Sequence, residues 1–142
     1  MTRRFEAPAE AVFDAWLDEG SAGEWLFATP AGETVRVDID PRVGGRYEIV
    51  ERRDGEDVLH TGAYEEIDRP RRLAFTLQVP KYAPNSDRVR IAIAAAEDGG
   101  SELTLCQTVS AGAPASPEQI ERGWGLVLAG LARRMERQEQ EG

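Results

Sequence analysis

An α+β fold is what the sequence predicts: a curved antiparallel sheet wrapped around a long C-terminal helix, with two short helices near the N-terminus. Three observations carry that expectation. From Glu33 to Val109 apolar and polar residues alternate with the period of a half-buried strand, and no helical pattern interrupts the run. The chain then closes on its longest stretch of helical periodicity. Five or six successive strands joined by short connectors favour a meander over parallel crossover units. The 142 residues make a single domain, 1-142, with 41% hydrophobic residues for a core and 30% charged residues for solubility.

In the segment Pro8 to Asp18, Val12, Phe13, Trp16 and Leu17 fall at helical spacing, and Ala9 extends the face. Pro8 suits the first helical turn and Gly20 supplies a stop. A second short helix holds Trp25 and Leu26 before Pro30 and Gly32 break the pattern. Val35, Val37 and Ile39 make the first strand face; Tyr47 and Ile49 make the next, ending at an Asp54-Gly55 turn signal. Val58 to Ile67 follows, with Gly62 marking a bulge or close packing. After Asp68-Arg69-Pro70, the residues Leu73, Phe75, Leu77 and Val79 give the clearest alternation, ending at Pro80. Val89, Ile91 and Ile93 form another face, and Asp98-Gly99-Gly100 leads to Leu103, Leu105 and Val109.

The last helix has a Ser-x-x-Gln capping box: Ser116 caps, Pro117 opens the first turn and Gln119 sits three residues on. Ile120, Trp124, Val127, Leu128, Leu131 and Met135 form its apolar stripe up to about Gln138. At about 30 Å, such a helix crosses several strands. Only the concave face of the sheet hides that stripe.

Charge and residue counts narrow the functional classes. Seventeen Lys and Arg against 26 Asp and Glu give a net charge of −9, which disfavours nucleic acid and acidic membranes as partners. No apolar stretch approaches the roughly 20 residues of a membrane helix, and no hydrophobic leader follows Met1, so a cytoplasmic protein is expected. One cysteine, Cys106, and one histidine, His60, build neither an internal disulfide nor a Cys/His zinc site. No cofactor is expected.

The residues also carry a resemblance. Arg4-Phe5-Glu6-Ala7-Pro8-Ala9-Glu10-Ala11-Val12-Phe13-Asp14-Ala15-Trp16, Val43-Gly44-Gly45-Arg46-Tyr47, Gly62-Ala63-Tyr64-Glu65-Glu66-Ile67, Pro70-Arg71-Arg72-Leu73-Ala74-Phe75-Thr76 and Gly123-Trp124-Gly125-Leu126-Val127-Leu128 span nearly the whole chain. In that order they resemble the START-like (SRPBCC) superfamily, specifically bacterial proteins similar to the C-terminal domain of the activator of the 90-kDa heat-shock protein ATPase. The resemblance implies a helix-grip fold with a cavity between the sheet and the last helix. It leaves function wide, since the superfamily includes lipid carriers, receptors and cyclases.

Few residues offer chemistry. His60 titrates near neutral pH and shares the strand phase of Val58 and Tyr64, where it is a cavity-wall histidine or a polar contact to ligand; no nucleophile motif accompanies it. Cys106 lies opposite in parity to Leu105, with no basic setting to activate it. Asp38 with Asp40, and Glu65 with Glu66, read as solvated faces, and the Arg69, Arg71 and Arg72 cluster as a solvated turn or an anion contact. Rings are more informative. Trp16, Trp25, Phe27, Tyr47, Tyr64, Phe75 and Trp124 fall on inward faces, and Gln107 is a polar residue on an inner phase.

The expected ligand-binding set is therefore Trp16, Trp25, Tyr47, His60, Tyr64, Phe75, Gln107, Trp124 and Leu128, around a small apolar or aromatic molecule, with no catalytic or metal-ligating residue. A polyketide-cyclase-like enzyme and a chaperone-associated interaction module are the alternatives. A homodimer through the last helix or a sheet edge is left open.

Overall fold

The structure is a computed structural model, describing residues 1–27, 32–81, 86–108 and 116–141, with side chains to residue 136. Its elements run β1 (Thr2–Phe5), α1 (Ala9–Leu17), α2 (Glu19–Trp25), β2 (Glu33–Ile39), β3 (Arg46–Arg53), β4 (Glu56–Asp68), β5 (Arg72–Leu77), β6 (Asp87–Ala95), β7 (Ser101–Thr108) and α3 (Pro117–Glu141). Seven strands form one antiparallel sheet in the order β1-β7-β6-β5-β4-β3-β2. The expected α+β class and meander are present. The helices α1 and α2 carry the chain from the β1 edge to the β2 edge.

The additional strand is β1, which the sequence reading passed over. Only Phe5 of its four residues is buried, so the segment has no alternation to read, and pairing with β7 creates it. The first helix stops earlier than Gly20 predicts. Asp18 ends α1 and caps α2, its carboxylate accepting from the Ser21 amide at 2.9 Å, so Gly20 lies inside α2. Pro8 stands at the N-cap, one residue before α1. At the other end of the chain, β5 stops at Leu77, and Gln78 makes a single bridge to Thr61 rather than continuing the strand to Val79. Val109 lies outside the described residues.

Turn and cap chemistry follow the sequence closely. Asp54 and Gly55 have φ of 50° and 79°, the left-handed pair of a two-residue hairpin turn joining Arg53 to Glu56. Around α3, the Gln119 amide donates to the Ser116 hydroxyl at 3.2 Å and the Ser116 amide to the Gln119 side chain at 2.8 Å.

The core is continuous. Phe5, Val12, Phe13 and Trp16 meet Tyr47, Ile49, Leu73, Val89, Ile91, Leu103 and Leu105 of the sheet, with Trp124, Val127, Leu128, Leu131 and Met135 closing it. The stripe of α3 is thus buried as expected, Ile120 at its start being half-buried. Its backbone packs most closely on α1, α2 and β1, and long side chains such as Trp124 reach the sheet. Ser21 fixes one such crossing by accepting from Arg134 Nε at 2.6 Å. No helix among the described residues is long and apolar enough to cross a membrane.

Where β4 leaves β3 for β5, the strand must come close to a neighbour. It pairs β3 through residues 56–63 and β5 from Tyr64 onward, with a register shift between Tyr64 and Glu66. Gly62 sits at this crossing, pressed against the Thr76 backbone. Of the bulge or close packing expected at this glycine, the close packing is there; the register shift lies further along, between Tyr64 and Glu66.

Candidate functional site

An aromatic cluster between sheet and helices surrounds a cavity lined by Trp16 from α1, Leu26 and Phe27 after α2, Tyr47 from β3, Tyr64 from β4, and Leu73 and Phe75 from β5. Its free volume is about 10 Å³, room for roughly one water. Phe27 is the reason. Its ring lies parallel to His60 at 4.6 Å and 8°, stacks on Tyr47 at 6.2 Å, and approaches Trp124 at 5.8 Å.

Alternation brings most of the expected rings inward. Tyr47, Ile49 and Glu51 share one face of β3, while Val58, His60 and Tyr64 are buried on β4. Tyr47 contacts Tyr64 and Phe75 at 5.6 Å, and Trp16 contacts Phe75 and Trp124 at 6.1 Å. Trp16, Tyr47, Tyr64 and Phe75 therefore line the cavity, and His60 and Trp124 stand behind the Phe27 ring.

Besides His60 and Trp124, three more expected residues do not line it. Trp25 packs edge-on against Trp16 at 4.7 Å and donates its indole N–H to the Ala15 carbonyl, so it supports the wall from behind. Leu128 is wholly buried in the core outside the lining. Gln107 has its amide occupied: its oxygen accepts from Trp124 Nε1 at 2.7 Å and its nitrogen donates to Asp87 at 2.8 Å. Together with Met1, Ile120 and Trp124 it borders a surface groove between β7 and α3. Strand parity placed it on the right face, but parity does not say how far along the sheet a side chain stands.

Three lining residues, Leu26, Phe27 and Leu73, and the buried Glu51 were missed. Phe27 belonged to the inward aromatic set but not to the expected ligand contacts, and nothing local announces its left-handed backbone, φ 57°. Glu51 is fully buried and paired with Arg53; its parity with Tyr47 and Ile49 was the available signal.

The polar groups divide into satisfied and unsatisfied. The Tyr47 hydroxyl donates to the Thr76 carbonyl at 2.7 Å, and the Thr61 hydroxyl to the Tyr47 carbonyl at 2.9 Å. Burial raises the pKa values of Tyr47 and Tyr64, so both phenols stay protonated at neutral pH. Trp16 Nε1 and His60 Nδ1 are buried without a hydrogen-bond partner among the described residues. Elsewhere the acidic and basic candidates pair at the surface: Asp38 with Arg36, Asp40 with Arg42, Glu65 with Arg88, and Asp14 with both arms of Arg69. Cys106 is exposed. Among the described residues, no group of three or more His, Cys, Asp or Glu side chains is placed to hold a metal.

His60 is held neutral, its pKa lowered from 6.5 to about 4 chiefly by burial and then by the Arg53 charge. The carbonyls of Ile49 and Val58 and the Glu51 charge oppose that shift, without a completed hydrogen bond to Nδ1. Because the unfolded chain takes up the proton first, stability falls as pH drops from 6.5 towards 4, and levels below. The expected loss is about 3 kcal/mol, from about 1.4 kcal/mol per pH unit over the shift from 6.5 to about 4. Urea midpoints between pH 7 and 4 should show this component in the native protein and not in His60→Gln; equal slopes would refute it.

Residues 6–136 match the family model described as Activator of Hsp90 ATPase homolog 1-like protein. The chain belongs to this family. Among solved structures, the chain is similar to a protein from Chromobacterium violaceum, with 26% identity, 96% of this chain and 94% of the other covered, and a TM-score of 0.82. An AHSA1-like protein from Aeromonas hydrophila shares 23% identity over 98% and 93% of the two chains, with a TM-score of 0.78. An HSP90 activator from Plasmodium falciparum, at 18% identity, covers 96% and 94% with a TM-score of 0.70. No curated protein matches. The family membership accounts for the START-like helix-grip architecture that the sequence motifs implied.

Proposed function

We propose that this domain binds a small apolar or aromatic molecule between the sheet and α3, without catalysis. The observation that carries the reading is the aromatic cavity lined by an indole whose buried N–H has no partner among the described residues, since a packed apolar core rarely leaves a donor unsatisfied. The electrostatics argue against acid–base work. A histidine with a pKa of about 4 is a weak base at neutral pH, far from the match that efficient proton transfer needs.

Native mass spectrometry of the protein purified from its own host, followed by extraction of small molecules, tests this. A low-mass molecule released on denaturation is the expected result, and its binding should persist in His60→Gln with affinity weakened by about 1 kcal/mol. Turnover of the extracted molecule that falls by roughly 10²-fold in His60→Gln with binding intact would favour the cyclase alternative instead.

A second reading is a chaperone-associated interaction module. It is favoured by the small free volume and by the Plasmodium falciparum relative, which is described as an HSP90 activator. A protein that carries no small molecule but comigrates with a 90-kDa chaperone would establish it over the first.

A further inference from the structure

We propose that the Phe27 ring is a displaceable plug standing where the ligand sits, and that the ligand is a flat aromatic molecule bearing a hydrogen-bond acceptor, stacked on His60 and held by the Trp16 indole N–H. This rests on the ligand-binding reading above and names the class of molecule.

Phe27 is an unusual core residue. A bulky side chain at φ 57° is strained, and such outliers gather where a fold holds a segment ready for function. Its ring does not fill an irregular gap between aliphatic groups. It lies in a flat slot, parallel to His60 within 8° and to Tyr47 within 21°, with Trp124 tilted across the end at 57°. An intramolecular ring that stacks in this manner shows the shape and chemistry the slot accepts. A branched or extended alkyl chain would forfeit those contacts.

Volume and polarity complete the argument. With Phe27 in place only about 10 Å³ remains beside it, so a ligand enters by replacing the ring rather than by joining it. The Trp124 indole donates to Gln107 and the Tyr47 hydroxyl to Thr76, so both are already engaged. Trp16, 1% exposed and lining the cavity, keeps a donor with no protein acceptor among the described residues. The phenyl plug has no acceptor to offer. A ring carbonyl or ether oxygen would supply one and satisfy a group whose burial is otherwise unfavourable.

Coumarin, a flat lactone, and naphthalene, which has its shape without the acceptor, make a suitable pair of probes. The protein is labelled with 4-fluorophenylalanine at its four phenylalanines and with ¹⁵N in its three indoles; the signals are assigned with Phe27→Leu and Trp16→Phe. Coumarin should bind the native protein while the Phe27 fluorine moves towards its solvent-exposed shift along the same titration curve. The Trp16 N–H should move downfield with coumarin and not with naphthalene. Phe27→Gly, which removes the ring and tolerates the left-handed backbone, should bind coumarin at least about 10-fold more tightly, because no plug must first be ejected.

If coumarin binds Phe27→Gly but not the native protein up to its solubility limit, Phe27 is a fixed core ring and the proposal fails. Native-protein binding with an unmoved Phe27 fluorine, or a Trp16 N–H that responds alike to both probes, also overturns it. The native titration decides the matter even if Phe27→Gly does not fold. A purely aliphatic molecule carried from the host would sink this inference while leaving ligand binding itself intact. An empty protein that takes up coumarin in neither form would remove both.

Discussion

Replacing Gly62 by alanine is expected to destabilise the domain by about 3 kcal/mol or more, the upper range for forcing atoms into a packed interior. A β-carbon there would lie 1.8 Å from the Thr76 carbonyl oxygen and 2.6 Å from its carbonyl carbon. Those are backbone atoms, held by neighbouring bonds: the Thr76 carbonyl accepts from the Tyr47 hydroxyl, and the Thr76 hydroxyl from the Ala63 amide. No rotamer change relieves the overlap, so β4 or β5 must move and the Tyr47 wall of the cavity with it. Gly123→Ala is the control. Nothing lies within 4 Å of a β-carbon at that helical position, and alanine should stabilise by about 0.5–1 kcal/mol. Urea denaturation of both variants decides it: a Gly62→Ala midpoint equal to that of the native protein would refute the steric reading.

Leu128→Ala should lose about 2 to 5 kcal/mol, as a fully buried leucine does when the surrounding core relaxes only in part. Leu128 has no exposed surface, and its neighbours on the stripe, Val127 and Leu131, are also buried. Helix α3 depends on this burial. Its isolated sequence, with Gly123, Gly125 and Gly130 in its interior, is a poor helix former without a packing surface. Loss of stability should therefore appear together with loss of helical circular dichroism in one transition. A Leu128→Ala protein with native midpoint and slope would show that the stripe is not holding the helix to the core.

Much of the fold was legible because period and face are local properties. The alternation of Leu73, Phe75 and Leu77, the Asp54-Gly55 turn and the Ser116–Gln119 box each declare themselves within a few residues. What escaped depends on partners distant in the chain. Thr2–Phe5 becomes a strand only because β7 offers Ser101–Thr104 to pair with. The stop after α1 is Asp18, chosen over Gly20 because its carboxylate caps the helix that follows.

The site divides in the same way. Parity correctly turned Tyr47, His60, Tyr64 and Phe75 inward, but it carries no information on depth along the sheet, which is why Gln107 was assigned to a cavity it does not reach. Trp25 and Leu128 show that an inward ring or aliphatic group can be one layer removed from the void. Phe27 was the least readable of all, since its place follows from a single backbone torsion after a two-turn helix.

An open sheet leaves two lateral margins where a neighbouring chain can add a strand. Along β2, one of these margins, the register breaks between Thr34 and Arg36, and Arg36 pairs with Asp38 at 2.6 Å and with Glu48 at 3.2 Å. A strand arriving there would have to match a kinked hydrogen-bond ladder and displace paired charges, two unfavourable events for the polymerisation of folded molecules. On this margin, resistance to fibrous self-assembly rests on the seven residues of β2. The overall net charge acts only as a more diffuse second barrier.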